Sequence, residues 1–324
     1  MKPSALIGLA VWLIACAINA PARTQDFPQR TITLVCPFPA GGGTDVLARL
    51  LAQELQSKLK QTVIVDNRVG GGTVLAAQTV AKSSPDGHTL LLALVTTLAI
   101  NPAVFKSIPY DPVKDFAPVG LVGAAEFALV ANPSLGAHTL PDLIDIIRKR
   151  PGALSYGSSG AGTPHHLFMA MFLKMIGGSA LHVPYRGSVP ALTDVVTGQI
   201  QFMMVDLAIA MGLIQEGKVK AYGVPSATRV KAMPDIPTIA EAGVPGYAGG
   251  GWISIVARAG TPRATVDKIN GVLTAFLRQP DAQAKLYALA IQPMTSTPDE
   301  LEKHIASEIV KWAQVVKDAG IEPQ

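Results

Sequence analysis

The chain has 324 residues, 49% of them apolar and 15% charged, with a net charge of +4. That balance suits a globular protein with sizeable cores and excludes a disordered tail or a collagen-like repeat. The length exceeds what one core usually supports, so two domains are expected.

The N-terminus carries the first signal. Lys2 precedes an apolar run from Ala5 to Ala17 and then small residues, the pattern of a secretory signal peptide. The run is too short for a comfortable membrane span. Ala20-Pro21-Ala22 offers a cleavage site after Ala22, giving a signal peptide over 1–22. Leu13-Ile14-Ala15-Cys16 offers a second route, in which Cys16 is acylated and becomes a lipid anchor. Either route puts the mature protein outside the cytoplasm. Cys36 is then the lone cysteine, inside an apolar strand, and reads as a small buried hydrophobe.

Beyond the signal, short apolar runs predict strands at Thr31–Pro37, Thr62–Asp66, Thr89–Leu94, Phe127–Ala131, Gln201–Val205, Ala221–Val224 and Trp252–Ala257. Their nearly continuous apolar character suits parallel strands covered on both faces. Between Asp45 and Leu59, Leu47, Leu50, Leu51, Leu55 and Leu59 recur on one helical face, as core residues do. Thr139 with Asp142 resembles a capping box. Thr163-Pro164, Thr261-Pro262 and Thr297-Pro298 each place a cap before a proline at the first helical position, and Glu300 completes a box for the last. The alternation predicts an α/β protein with doubly wound sheets. Arg148-Lys149-Arg150, the one tight basic cluster, ends a predicted helix where cations suit the dipole. No aromatic residues interleave with basic ones, so no nucleic-acid partner is expected.

Two loops carry the chemistry. Pro37-Phe38-Pro39-Ala40-Gly41-Gly42-Gly43-Thr44-Asp45 joins a strand to a helix. Its glycines let backbone N–H groups approach a ligand, and the helix N-terminus adds partial positive charge. Tyr156-Gly157-Ser158-Ser159-Gly160-Ala161-Gly162-Thr163-Pro164 repeats the arrangement. Two such loops in different domains suggest a cleft between them, at the carboxyl ends of strands. Gly157 to Ala161 lacks the last glycine of a nucleophile elbow. Gly212 to Lys218 has P-loop spacing but is followed by Val219 and a strand. His165 and His166 are adjacent and cannot chelate as an i, i+4 pair. No catalytic set, metal cluster or cofactor motif is recognised.

In order along the mature chain, the first loop, Asp66-Asn67-Arg68 with its following glycine cluster, and Pro85-Asp86-Gly87-His88-Thr89-Leu90-Leu91-Leu92 form a series. Tyr110-Asp111-Pro112-Val113-Lys114-Asp115-Phe116, His182-Val183-Pro184-Tyr185-Arg186-Gly187, Pro237-Thr238-Ile239-Ala240-Glu241-Ala242-Gly243 and Ala259-Gly260-Thr261-Pro262 complete it. The series resembles the tripartite tricarboxylate transporter substrate-binding family, the Bug-type solute receptors. The resemblance implies a two-lobed, type II periplasmic-binding-protein-like fold with a ligand cleft between lobes, and no enzymatic activity. It also implies a periplasmic protein that delivers a small carboxylate to an integral membrane permease; a sensing protein of the same fold, feeding a membrane signalling partner, is the alternative. A monomer is expected.

Carried over by position, Phe38 walls the cleft, and Ala40, Gly41, Gly42, Thr44 and Asp45 build an anion pocket. Thr96 and Thr97 add hydroxyls, Ser158, Gly160, Gly162 and Thr163 face them, and Tyr185 and Asp206 stand at the distal end. The lobes are placed at 23–125 with 229–324, and at 126–228. Cys36 sits where Val is usual, His88 where Tyr is commoner, and Val69 and Arg258 where Pro is common. Pro225 holds a strand position often held by Thr.

Overall fold

Strand β1 (Ile32–Cys36) shows how the layers arise. Ile32, Leu34 and Cys36 point into one core and Val35 into another, because successive strand side chains face opposite ways. Strand β3 (Thr89–Leu94) does the same, Leu90 and Leu92 on one side and Leu91 and Ala93 on the other. A strand buried on both faces has no solvated side to mark with polar residues, which is why these runs are continuously apolar.

The computed structural model describes residues 27–323, so the signal-peptide and lipobox readings lie outside the described residues. Two mixed sheets organise the chain. The first has strand order β11-β4-β10-β3-β1-β2 and the second β7-β6-β8-β5-β9. The remaining strands of the first are β2 (Val63–Asn67), β4 (Phe116–Ala125), β10 (Gly251–Arg258) and β11 (Ile291–Pro293). The second comprises β5 (Phe127–Ala131), β6 (Ser155–Ser158), β7 (Leu181–Pro184), β8 (Phe202–Asp206) and β9 (Lys220–Gly223).

The expectation of parallel strands holds only for part of each sheet. β1 pairs in parallel with β2 and β3, and β6 with β7 and β8. β10 runs antiparallel to β3 and β4, β11 to β4, and β5 to β8 and β9. The antiparallel members flank the two points where the chain passes between sheets: at Glu126, between β4 and β5, and before Gly251, where β10 begins.

Ten α-helices cover the sheets among the described residues: α1 (Gly43–Leu59), α2 (Val74–Ala81), α3 (Asn101–Val104), α4 (Leu140–Lys149), α5 (Pro164–Met175), α6 (Ser188–Thr197), α7 (Leu207–Gln215), α8 (Arg263–Leu277), α9 (Pro280–Ala288) and α10 (Pro298–Asp318). Helices α1, α8 and α9 close the outer core of the first sheet, and α6 and α7 that of the second. The inner faces of both sheets share one continuous core with α2, α4, α5 and α10. Val230 and Ile236 pack into the outer core of the second sheet, and the Tyr247 hydroxyl donates to the Phe168 carbonyl at 2.8 Å.

Both expected capping boxes form, Thr139 with Asp142 and Thr297 with Glu300. Thr163 holds the N-cap position of α5 but its hydroxyl donates to the Gly160 carbonyl instead. Thr261 does not cap: α8 starts at Arg263 with Pro262 before it, and the Thr261 hydroxyl donates to the Arg258 carbonyl. Cys36 is fully buried, and that burial pushes its thiol above the usual range. No helix among the described residues is long and apolar enough to cross a membrane.

Candidate functional site

The parallel strands of both sheets point their carboxyl ends at one cavity of about 500 Å³. Pro37 and Phe38 follow β1, Val69 and Gly70 follow β2, and Thr96 follows β3. From the other sheet, Ser159 follows β6, Gly187 and Ser188 follow β7, and Asp206 ends β8. This is where an open α/β sheet presents loops and helix N-termini to a ligand.

The wall from the first sheet is built on charge. Asp45 is almost fully buried and accepts from Arg49 Nε at 2.8 Å, the Gly41 N–H at 2.9 Å and Asn67 Nδ2 at 2.9 Å. The Arg49 bond, opposed by burial and helped by Gly41 and Asn67, holds its carboxyl down at about 2. Asn67 also donates to the Phe38 carbonyl, so β2, the loop and α1 are tied through one carboxylate. Of the three glycines only Gly41 has a left-handed backbone, at φ 87°; Gly42 and Gly43 are exposed and unconstrained. A second cluster, Gly70-Gly71-Gly72-Thr73, lies beside it with Thr73 at φ 81°. The buried Thr97 hydroxyl donates to Thr73 Oγ1 at 2.8 Å and so braces this turn from behind.

The wall from the second sheet is built on neutral hydrogen bonds. Ser158 is fully buried, its Oγ paired with His182 Nε2 at 2.7 Å and with the Gly160 backbone. The His182 and His166 rings stack at 3.8 Å, and His166 Nδ1 accepts the Gly162 N–H. Burial, and then the nearby His182, push His166 down to about 4; burial also lowers His182. Both rings are therefore neutral at ordinary pH. Gly160 and Gly162 have φ of 134° and 72°, and a Cβ on Gly162 would sit 3.3 Å from Val104 of α3.

Ser159, His165 and Asp206 form a chain along this wall, His165 Nδ1 2.8 Å from the Ser159 hydroxyl and Nε2 2.9 Å from Asp206 Oδ2. No local pattern marks this hydroxyl–imidazole–carboxylate set, because the serine and the aspartate come from different strand ends. Burial works against the Asp206 charge, but His165 and then Ser188 outweigh it and hold the carboxyl below its usual range. Asp206 is thus an anionic acceptor aimed into the cavity.

Among the described residues no lysine or arginine lines the cavity. Partial positive charge comes instead from helix N-termini: Thr44 in the first turn of α1, Thr73 at α2, Thr163 at α5 and Gly187-Ser188 at α6. Free N–H groups and aligned peptide dipoles at such ends favour an anion. Phe38, Phe127 and Trp252 supply apolar walls.

Of the residues expected at the site, Phe38, Thr44, Thr96, Thr163 and Asp206 line the cavity. Ala40, Gly41 and Gly42 form the exposed turn beside it, and Asp45, Thr97, Ser158, Gly160 and Gly162 lie behind the lining. Tyr185 turns away, its hydroxyl donating to Asp194 Oδ2 at 2.6 Å; burial, then Asp194, push it up to about 12. Gly70, Gly72, Thr73, Ser188 and Trp252 also line the cavity and were not among the residues expected there, while Ser159 and His165 line it from the second glycine loop and the start of its helix. The glycine cluster was the available signal for the first three. Among the described residues no His, Cys, Asp and Glu group is arranged to hold a metal ion.

A family model described as the tripartite tricarboxylate transporter family receptor matches residues 47–321. Protein BugT of Bordetella pertussis is 34% identical over 313 residues, 96% of this chain and 96% of its own. R. palustris Rpa4515, solved with adipate, is 37% identical and superposes with a TM-score of 0.80 over 92% of this chain and 100% of its own. MatC (Rpa3494) from Rhodopseudomonas palustris, solved with bound malate, is 33% identical with a TM-score of 0.74 over 90% and 100%.

Proposed function

The chain belongs to the tripartite tricarboxylate transporter receptor family, and from that premise we propose that it captures a small organic carboxylate and delivers it unaltered to an integral membrane permease. The observation that carries this reading is the convergence of four helix N-termini on a cavity that, among the described residues, no lysine or arginine lines. A carboxylate is the natural occupant, since backbone N–H groups reward its charge without a salt bridge. Thr44 and Thr96 add hydroxyl donors from the first sheet's side of the cavity. The relatives solved with adipate and malate support the ligand class. Asp206 adds a demand of its own: the ligand's far end carries a hydrogen-bond donor, a hydroxyl, an ammonium or a protonated carboxyl.

The two sheets act as two lobes, 23–125 with the C-terminal part forming one and the chain from 126 forming the other. The packing of Val230, Ile236 and Tyr247 with second-sheet elements supports carrying the middle lobe past 228, to the glycines before β10. Each lobe contributes half the site, so ligand binding closes them and compacts the molecule. The protein works in the periplasm as a monomer after loss of residues 1–22; feeding a membrane sensor instead of a permease is the alternative destination, and co-purification with the permease separates the two.

Calorimetry against a panel of dicarboxylates and hydroxy acids, with mass analysis of the recovered ligand, tests the proposal. Saturable one-to-one binding of an unchanged acid supports it; no saturable binding by any acid sinks it. The Ser159–His165–Asp206 chain favours one other reading, a hydrolase. p-Nitrophenyl acetate turnover that disappears in Ser159→Ala would establish that activity, and equal background rates in both proteins would remove it.

A further inference from the structure

The chain passages between the sheets have two sides. Along β4 and β5, Ala125 and Phe127 face the carboxylate cavity, while Ala124 and Glu126 face a second cavity of about 370 Å³ behind it. The alternation of strand side chains imposes that division. Gly251 and Trp252 of the other passage border both cavities. In the paired strand β11, Gln292 lies opposite Ala124, so its side chain shares the rear face with Glu126. Helix α10 closes the cavity with His304, Glu308 and Lys311, and Ser226 and Thr228 edge it.

The polar groups here divide into satisfied and unsatisfied. Glu308 is fully engaged, accepting from Trp252 Nε1 at 3.0 Å, Trp312 Nε1 at 2.9 Å and Lys311 Nζ at 2.7 Å. Lys311 is thereby committed as well. Gln292 Oε1 and His304 Nε2, in contrast, are buried atoms with no hydrogen-bond partner. Among the described residues Glu126, only 5% exposed, pairs with no cation. A buried polar atom left unpaired costs stability, and two of them beside a buried carboxyl call for a donor.

We propose that this rear cavity is a second ligand site, taking a small primary ammonium group on Glu126, Gln292 and His304. An ammonium fits because it offers three donors, no acceptor and the charge Glu126 lacks. Anions are disfavoured by Glu308 and Glu126, and a metal ion by the absence of a suitable ligand group among the described residues. The groups facing Glu126 are consistent with this. Burial pushes its carboxyl up to about 7, with a hydrogen bond from Ser226 only partly offsetting it. Burial also keeps His304 neutral; Glu308 opposes that and Lys311 reinforces it. An incoming ammonium selects the ionised carboxyl, so its binding releases a proton and strengthens as pH rises through neutrality. Because the site is walled by the passages between lobes, its occupant is placed to bias their relative position.

The test uses the full mature chain and n-butylammonium as probe, with butan-1-ol as the uncharged control, by calorimetry at pH 6 and pH 8. Saturable one-site binding of butylammonium alone is expected, about tenfold tighter at pH 8, as one carboxyl titrating near neutrality requires. Glu126→Gln is expected to remove both the binding and its pH dependence. Should that variant fail to fold, Gln292→Met serves, with affinity lost in part and the pH dependence kept. Equal binding of butanol, undiminished binding in the variants, or no saturable binding overturns the proposal.

Discussion

The two glycine loops at the cavity look alike in sequence and are held by different chemistry. The loop before α1 hangs on an ionised carboxylate, Asp45, clasped by Arg49, Asn67 and the Gly41 N–H. The loop before α5 hangs on uncharged groups, Ser158, His182 and His166, and is pressed onto Val104. The first has room around its glycines and the second has little. The same motif at two strand ends therefore predicts different responses to crowding, to acid and to loss of a hydroxyl.

Crowding separates them most. Gly162→Val combines a left-handed backbone with contact against Val104, and is expected to cost about 2–3 kcal/mol. Gly43→Ala meets nothing within 4 Å and lies in a helical first turn, so stability should change by less than about 0.5 kcal/mol. Urea unfolding of both variants gives the comparison directly. Similar losses would mean that the two loops are equally constrained.

Acid separates them next, because the two groups titrate in different ranges. His166 has its folded value lowered to about 4, below its ordinary 6.5, so the unfolded chain binds the extra proton first. Stability from the neutral stack is full above the ordinary value and is lost as pH falls from there towards 4. Asp45 is also lowered, but it is an acid. Its contribution is present above the usual carboxylate range and is lost only as pH falls towards 2. Of the two loops, only the second therefore loses stability between pH 7 and pH 4.5, by on the order of 2 kcal/mol. The difference in urea stability between the parent protein and His166→Phe should shrink by that amount over this range, while the difference from Asp45→Asn stays constant.

Loss of one hydroxyl is a smaller effect. Ser158→Ala removes the fully buried hydroxyl that joins His182 to the Gly160 backbone and is expected to cost about 1–2 kcal/mol. Asp45→Asn should cost less, because its main partner, Arg49, is half exposed and screened by water. The smallest change in stability belongs to the lining itself. Thr44→Val should leave the urea midpoint unchanged while weakening carboxylate binding about fivefold, the worth of one hydrogen bond.

What the sequence revealed follows from the same physics. β1, β3, β5 and β8 are apolar on both faces and announced themselves as runs. β4 did not, because Pro118, Gly120 and Gly123 break its pattern. Those glycines answer to tertiary neighbours: a Cβ would lie 2.5 Å from Asn270 Nδ2 at Gly120 and 2.5 Å from Ile291 at Gly123. β7 and β11 are too short to show a period. The antiparallel pairing of β5 and β10 was invisible for another reason, since direction is set by where the chain changes sheets and not by composition. At the cavity, the loop glycines and threonines carried a signal in their own neighbourhood. The bond between His165 and Asp206 joins residues 41 positions apart, and no local pattern records it.

In the proposed function helix N-termini, with no lysine or arginine beside them among the described residues, read the ligand's carboxylate. This recognition is tested most directly by comparing the tightest-binding acid of the panel with its isosteric primary amides, one carboxyl replaced at a time. Replacing the carboxyl that faces Thr44, Thr163 and Ser188 exchanges an anion for a dipole at those N–H groups, and affinity is expected to fall about a hundredfold or more. An amide that binds as tightly as the acid at every position would contradict the account.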